Sequence, residues 1–188
     1  MGQNKFIHPA TVIGLDPLPG LETTRTLAKH HIPIIAIAHY PIHYACRTSL
    51  CKKILYCNTQ SDMLIDSLVC LGAFFALQSG ALPVYGYECL LISRYRKKLG
   101  QWFYFHLPAA SVLEKLINKK LFHRYAQNLG LPVPDTFILS SLAEAGNIMD
   151  KLAFPVIVKP IIRTPQWTLS SPNKVFKVEN YGQFLPYI

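Results

Sequence analysis

The chain has 188 residues, 51% hydrophobic, 12% aromatic and 15% charged, a balance that excludes disorder for most of its length and leaves enough apolar surface for a packed core. Its 19 Lys and Arg against 10 Asp and Glu give a formal charge of +9, which suits anionic partners. The length fits one domain or one and a half, a whole protein or a fragment equally.

Ala10 to Ile13 is a short β-prone run that enters Gly14-Leu-Asp-Pro-Leu-Pro-Gly20, and Leu21, Thr24, Leu27 and Ala28 then fall on one helical face. Ile32 to Ala38 is continuously apolar, as a strand covered on both faces of a parallel sheet would be. The order strand, helix, strand predicts a βαβ unit, and the alternation continues through Ala81. A helix is predicted from Ser61 to Leu77, a strand over Leu82 to Tyr85, and an amphipathic helix over Glu88 to Leu99 with Leu91, Tyr95 and Leu99 on one face.

Near Pro108 the pattern changes. Ser111 and Glu114 have capping-box spacing, with a helical run through Leu113, Ile117, Leu121, Tyr125 and Leu129 that Gly130 and Pro132 stop. Asn118 is placed to cap a second helix beginning at Lys119. Ser141 and Glu144 repeat the capping box, Phe154 to Val158 reads as a buried strand running into Lys159, and Lys174 to Val178 alternates like another strand.

Several functions lose their best evidence. The longest apolar run, Leu68 to Leu77, is about half of the ~20 residues a bilayer needs, and the N-terminus carries no secretory or myristoylation pattern. Cys46, Cys51, Cys57, Cys70 and Cys89 form an odd set without a C-x-x-C pair, so a reducing cytoplasm is expected rather than a disulfide scaffold. There is no Walker A loop, G-x-G-x-x-G or G-x-S-x-G. The two S-x-x-K matches, Ser49 with Lys52 and Ser171 with Lys174, lack companion motifs.

His39, His43, Cys46 and Cys51 are of the right chemistry for zinc if they converge, but Pro41 breaks a helix that would align the histidines; loop histidines with buried thiols are the plainer reading. Arg94, Arg96, Lys97 and Lys98, then Lys115, Lys119, Lys120 and Arg124, are a solvated helix surface or an anion site. Lys119 begins a predicted helix and Lys159 ends an apolar strand, where an ammonium must reach solvent or meet an anion. Two lysines so held can meet a polyphosphate, or can simply snorkel to the surface.

At these residues the sequence resembles the ATP-grasp carboxylate–amine ligases, particularly the branch similar to D-aspartate ligase, over nearly the whole chain. VIGLDPLPGLETTRTLAKHHIPIIAIA resembles the opening of the pre-ATP-grasp domain, YACRTSLCKKIL the following segment, and LEKLINKKLFHRYAQNLGLPVPDTFIL with LAFPVIVKP the entrance to the ATP-grasp fold. The resemblance implies an α/β fold: a Rossmann-like pre-ATP-grasp domain with a parallel sheet over residues 1–107, then the first lobe of an ATP-grasp fold over 108–188. It implies ATP and Mg2+ as cofactors, with Lys119 and Lys159 as the ATP-binding lysines, a substrate carboxylate activated as acyl phosphate, and an amine that attacks it.

Substrate is expected at the loops after the parallel strands, near Gly14, Gly20, Gly86 and Glu88, where open α/β sheets place ligands. The sequence departs from the family at Asn118 and Tyr87, where aspartates are usual, and after Lys159, where Trp167 and Lys174 stand without a glycine-rich loop. No catalytic residue and no metal ligand is assigned. The magnesium-binding half is expected outside these residues, supplied by a C-terminal lobe or an oligomer partner, so the chain is not expected to be active alone. The partners implied are small carboxylates and amines, without membrane or nucleic acid. The competing reading is a non-catalytic basic module for a polyanion or nucleic acid, marked by steep salt dependence.

Overall fold

A computed structural model describes residues 8–162, 171, 173 and 175–184. Lys174, the start of one expected strand, and Trp167 lie outside the described residues. The chain divides into two compact units, Met1–Leu113 and Glu114–Ile188.

The first unit is an open α/β domain. Strands β1 (Ala10–Ile13), β2 (Ile34–Ala38), β3 (Lys53–Tyr56), β4 (Ser79–Pro83) and β5 (Phe103–Tyr104) form one sheet in the order β3-β2-β1-β4-β5. Every pairing is parallel, with Val12 opposite Ala36 on one side and Leu82 on the other. All four residues of β1 are buried, which is what a central strand covered on both faces requires. The buried hydroxyls of Thr11 and Ser79 satisfy each other at 2.8 Å across β1 and β4.

Helix α1 (Leu18–Lys29) begins after Pro17, with further proline in its first turn, and Gly20, Leu21 and Thr24 face inward. Helix α2 (Met63–Gly72) stops before the expected Leu77. Its end lies against Trp102: a Cβ on Gly72 would stand 2.6 Å from the indole ring, and Phe74 beyond it is 87% exposed. The expected single helix over Glu88 to Leu99 is two, α3 (Gly86–Arg94) and α4 (Arg96–Leu99). Arg96 fixes the chain beyond them. Its Nη2 donates to the carbonyls of Leu107 and Pro108 at 2.7 and 2.8 Å and to Ser93 Oγ at 3.0 Å, while Ser93 Oγ donates to Pro108 O at 2.6 Å.

Helix α5 (Ala110–Ile117) starts two residues earlier than a Ser111 cap would place it, so the Ser111–Glu114 box does not form. The Val112 and Leu113 amides donate to Ala109 O instead, drawing Ser111 into the helix. In the second unit, Asn118 does separate α5 from α6 (Lys119–Asn128): its Oδ1 accepts from the Leu121 amide at 3.1 Å. Ser141 caps α7 (Leu142–Gly146), and Glu144 Oε2 reaches back to the Ser140 amide. Strands β6 (Val156–Val158) and β7 (Phe176–Val178) pair antiparallel, and Ala145, Val178 and Phe184 are the buried centre of this unit's core.

Candidate functional site

In the first unit the sheet order creates a switch point. From β1 the chain crosses to β2 on one side, and from β4 to β5 on the other, so the loops after β1 and β4 leave neighbouring strands in opposite directions at the carboxyl edge, the place where open α/β sheets bind ligands. The β1 loop is held closely. The Gly14 and Leu15 amides donate to Ile37 O at 2.9 and 3.0 Å, and the two carboxylate oxygens of Asp16 each accept at 3.1 Å, one from the His39 amide and one from the Tyr40 amide.

Gly14 has φ +87°, a backbone conformation glycine adopts without penalty. It also makes room for Glu88: a Cβ there would lie 2.8 Å from Glu88 Oε2 and 3.0 Å from Oε1. Gly20 is buried beneath, and its Cβ would come within 2.0 Å of the Gly14 carbonyl oxygen, so only glycine lets α1 approach this loop so closely. Gly86 opens α3 at the surface. Three of the four residues expected to bind substrate, Gly14, Gly20 and Glu88, are thus brought together, and Gly86 stands two residues before Glu88 on α3.

Glu88 is only 2% exposed, and its Oε2 has no hydrogen-bond partner among the described residues. Burial pushes its carboxyl up to about 7; the Thr59 hydroxyl and the Tyr85 amide pull it down, the Asp16 charge adds to the rise, and the Val84 amide opposes it. The Tyr85 phenol is raised for related reasons, burial first, then Glu88 and Asp16. Of this group only Glu88 was singled out from sequence. Asp16 was visible inside the Gly14 to Gly20 loop, but Thr59 and Tyr85 carry no motif and come in through the tertiary fold.

The zinc set does not assemble. Among the described residues no three His, Cys, Asp or Glu side chains are placed to hold a metal. Cys46 Sγ donates to Tyr40 O at 3.5 Å and His43 Nδ1 accepts from the Ala45 amide at 3.3 Å.

The second unit contains a cavity of about 920 Å3 that both expected ATP lysines line. Lys119 reaches it from the start of α6, where its Nζ donates to Ile161 O at 3.3 Å. Lys159 follows β6, whose residues form part of the wall. The two are close enough that burial, and then the Lys159 charge, lower the proton affinity of the Lys119 ammonium. Lys120 and Lys151 also line this cavity, with Asp135 the one acidic residue among its described lining. One carboxylate among four lysines does not fit a magnesium site, which needs a cluster of oxygen ligands.

No family model matches the sequence, and no curated protein sequence matches it. Solved structures do. The crystal structure of L-amino acid ligase from Bacillus licheniformis superposes with a TM-score of 0.70 at 15% identity, over 96% of this chain and 40% of that one. N5-carboxyaminoimidazole synthetase from Staphylococcus aureus, complexed with ADP, gives 0.67 at 11% identity, over 97% and 45%. The biotin carboxylase domain of Hydrogenobacter thermophilus 2-oxoglutarate carboxylase, in complex with MgADP, ADP and bicarbonate, gives 0.64 at 16%, over 96% and 39%.

The shared property is the fold. It is the α/β class expected from the sequence, a parallel-sheet domain followed by the first lobe of an ATP-grasp fold. This chain spans less than half the length of each of these three solved chains.

Proposed function

We propose that this chain is the front part of an ATP-dependent carboxylate–amine ligase, of the branch similar to D-aspartate ligase, with residues 1–107 as the pre-ATP-grasp domain and 108–188 as the first ATP-grasp lobe. The observation that carries this reading is the meeting of Lys119 and Lys159 on one cavity, from α6 and from the end of β6. The fold shared with an L-amino acid ligase supports it.

In the reaction so assigned, a substrate carboxylate oxygen attacks the γ-phosphorus of ATP, ADP leaves, and an acyl phosphate forms. The amine then attacks the acyl carbon, phosphate departs with the C–O electron pair, and the nitrogen loses a proton. Lys119 and Lys159 hold the phosphate chain and offset its charge; neither forms a covalent bond to the substrate. Mg2+, where it accompanies ATP, would be held by ligands other than the residues of this cavity and would supply charge neutralisation there.

The amine substrate belongs at the loops after β1 and β4 of the first unit. Glu88, raised to about 7 with an unpartnered buried oxygen, and Asp16 near it favour a protonated amine, whose charge would draw the Glu88 carboxyl toward its ionised form, over a second carboxylate. Gly14 and Gly20 let backbone and carboxylate come close there, and Gly86 opens α3 two residues before Glu88 in the chain. A cytoplasmic setting, with small carboxylates and amines as partners and no membrane or nucleic acid, accords with five free thiols and with the substrates the reaction requires.

The test is calorimetric titration of ATP into the chain and into Lys119→Met and Lys159→Met. Binding that either substitution abolishes is expected. Equal binding by all three proteins overturns the reading, and nucleic-acid binding with steep salt dependence in place of ATP binding would establish the polyanion module.

A further inference from the structure

The first turn of α6 works against its own helix. The amides at a helix N-terminus lack intrahelical acceptors and make that end positive, so acidic residues are favoured there. Here Lys119 and Lys120 occupy the first two positions and no acidic residue stands in the turn. Asn118 caps the Leu121 amide, which leaves the charge conflict in place. A local choice that costs stability without a visible structural return is characteristic of a working surface.

A different element adds a fourth cation. Lys151 ends the short 3-10 turn Met149–Lys151 ahead of β6 and lines the same cavity. Lys119, Lys120, Lys151 and Lys159 therefore line one cavity from α6, this turn and the end of β6, with Asp135 the one acidic residue among its described lining. None of the four has an ion-pair partner among the described residues. On a solvated helix face lysines fan apart into water; around one cavity of about 920 Å3 they raise a common positive potential. An anion with several charged groups can meet more than one of these ammoniums at once, and a singly charged anion cannot.

We propose that Lys120 and Lys151 are further anion-binding residues, which make the cavity a four-lysine cradle for a polyphosphate chain. The proposal rests on the ligase reading of the same cavity and adds two contacts that the resemblance does not assign. Lys119 and Lys159 hold one stretch of the chain, and Lys120 and Lys151 extend the contact to the neighbouring phosphates.

The experiment titrates inorganic tripolyphosphate into the chain by calorimetry at low and at near-physiological salt. It compares wild type with Lys120→Gln, Lys151→Gln, the double variant, Lys119→Gln, Lys159→Gln, and Lys97→Gln as a surface control outside the cavity. Circular-dichroism melts establish that each variant is folded. Lys120→Gln and Lys151→Gln are each expected to weaken binding about three- to tenfold and to flatten its salt dependence, the double variant more than either. Lys97→Gln is expected to bind as wild type does.

Wild-type affinity in Lys120→Gln and Lys151→Gln, with loss in Lys119→Gln and Lys159→Gln, overturns this proposal and leaves the ligase reading standing. An equal loss in Lys97→Gln reduces the effect to general surface charge and overturns it too. Failure of wild type to bind tripolyphosphate at low salt overturns the cradle, and the ATP titration then decides the ligase reading separately.

Discussion

Glu88 Oε2 lies 2.8 Å from the point where a Cβ on Gly14 would be, so the loop after β1 and the helix after β4 touch through a glycine that has no side chain and a carboxyl that has no partner for that oxygen. Gly14→Ala therefore meets two obstacles, the positive φ and the carboxylate. We expect a loss of about 1–3 kcal/mol in stability by urea titration. Adding Glu88→Ala removes the contact and leaves the backbone strain, so a double-mutant cycle should return part of the loss. A strictly additive cycle would mean that the two residues do not meet.

The raised carboxyl of Glu88 has a pH signature. Unfolded, it ionises near its ordinary value of 4.5; folded, near about 7. Between those values the native state holds the extra proton, so stability falls as pH rises through the window and is level above it. Glu88→Gln lacks this titration and should gain on wild type as pH rises, by a few kcal/mol, on the order of 3, at pH above 7. Parallel stability curves for the two proteins between pH 4.5 and 7 would show that Glu88 ionises normally.

Gly20 supports this pair from below. An alanine there puts its Cβ 2.0 Å from the Gly14 carbonyl oxygen, a backbone atom that cannot swing away. Gly20→Ala should cost about 3 kcal/mol or more by forcing α1 off β1, measured as a lower thermal midpoint. An unchanged midpoint would contradict the close approach.

Lys119 should titrate below the ordinary lysine value, because burial and then the Lys159 charge disfavour its ammonium. The native state then holds fewer protons than the unfolded chain between the lowered and the ordinary value, so stability rises with pH across that interval. Lys159→Met removes the second cause, and the Lys119 side-chain NMR titration should move up. No movement would place the two lysines out of electrostatic reach.

Arg96 gathers the carbonyls of Leu107 and Pro108 and the Ser93 hydroxyl with one planar nitrogen. Arg96→Met should lower stability by about 1–2 kcal/mol, and Arg96→Lys should restore little of it, since a single ammonium does not reproduce the guanidinium fork. Full rescue by lysine in a thermal melt would reduce the contribution to charge alone.

The sequence by itself determined much of the fold, because its signals there are local. The apolar runs at Ala10 to Ile13 and Ile32 to Ala38, the Asn118 cap and the Ser141 cap each depend on neighbours in the chain; the caps form, the first run is β1, and the second is strand from Ile34. Where two local signals competed, the structure chose: α5 starts on Ala109 and Ala110 rather than on the Ser111 cap, and α2 ends at Gly72, where Trp102 packs.

Lys119 and Lys159 were legible as charges at a helix start and a strand end, and Glu88 by its place after a parallel strand. That Glu88 fills the space over Gly14, with Asp16, Thr59 and Tyr85 acting on its carboxyl, was not, nor was the addition of Lys120 and Lys151 to one cavity. Those relationships join residues far apart in the chain, and a side chain's exposure, its partners and the charges around it are fixed only when strand order and helix packing bring its surroundings together.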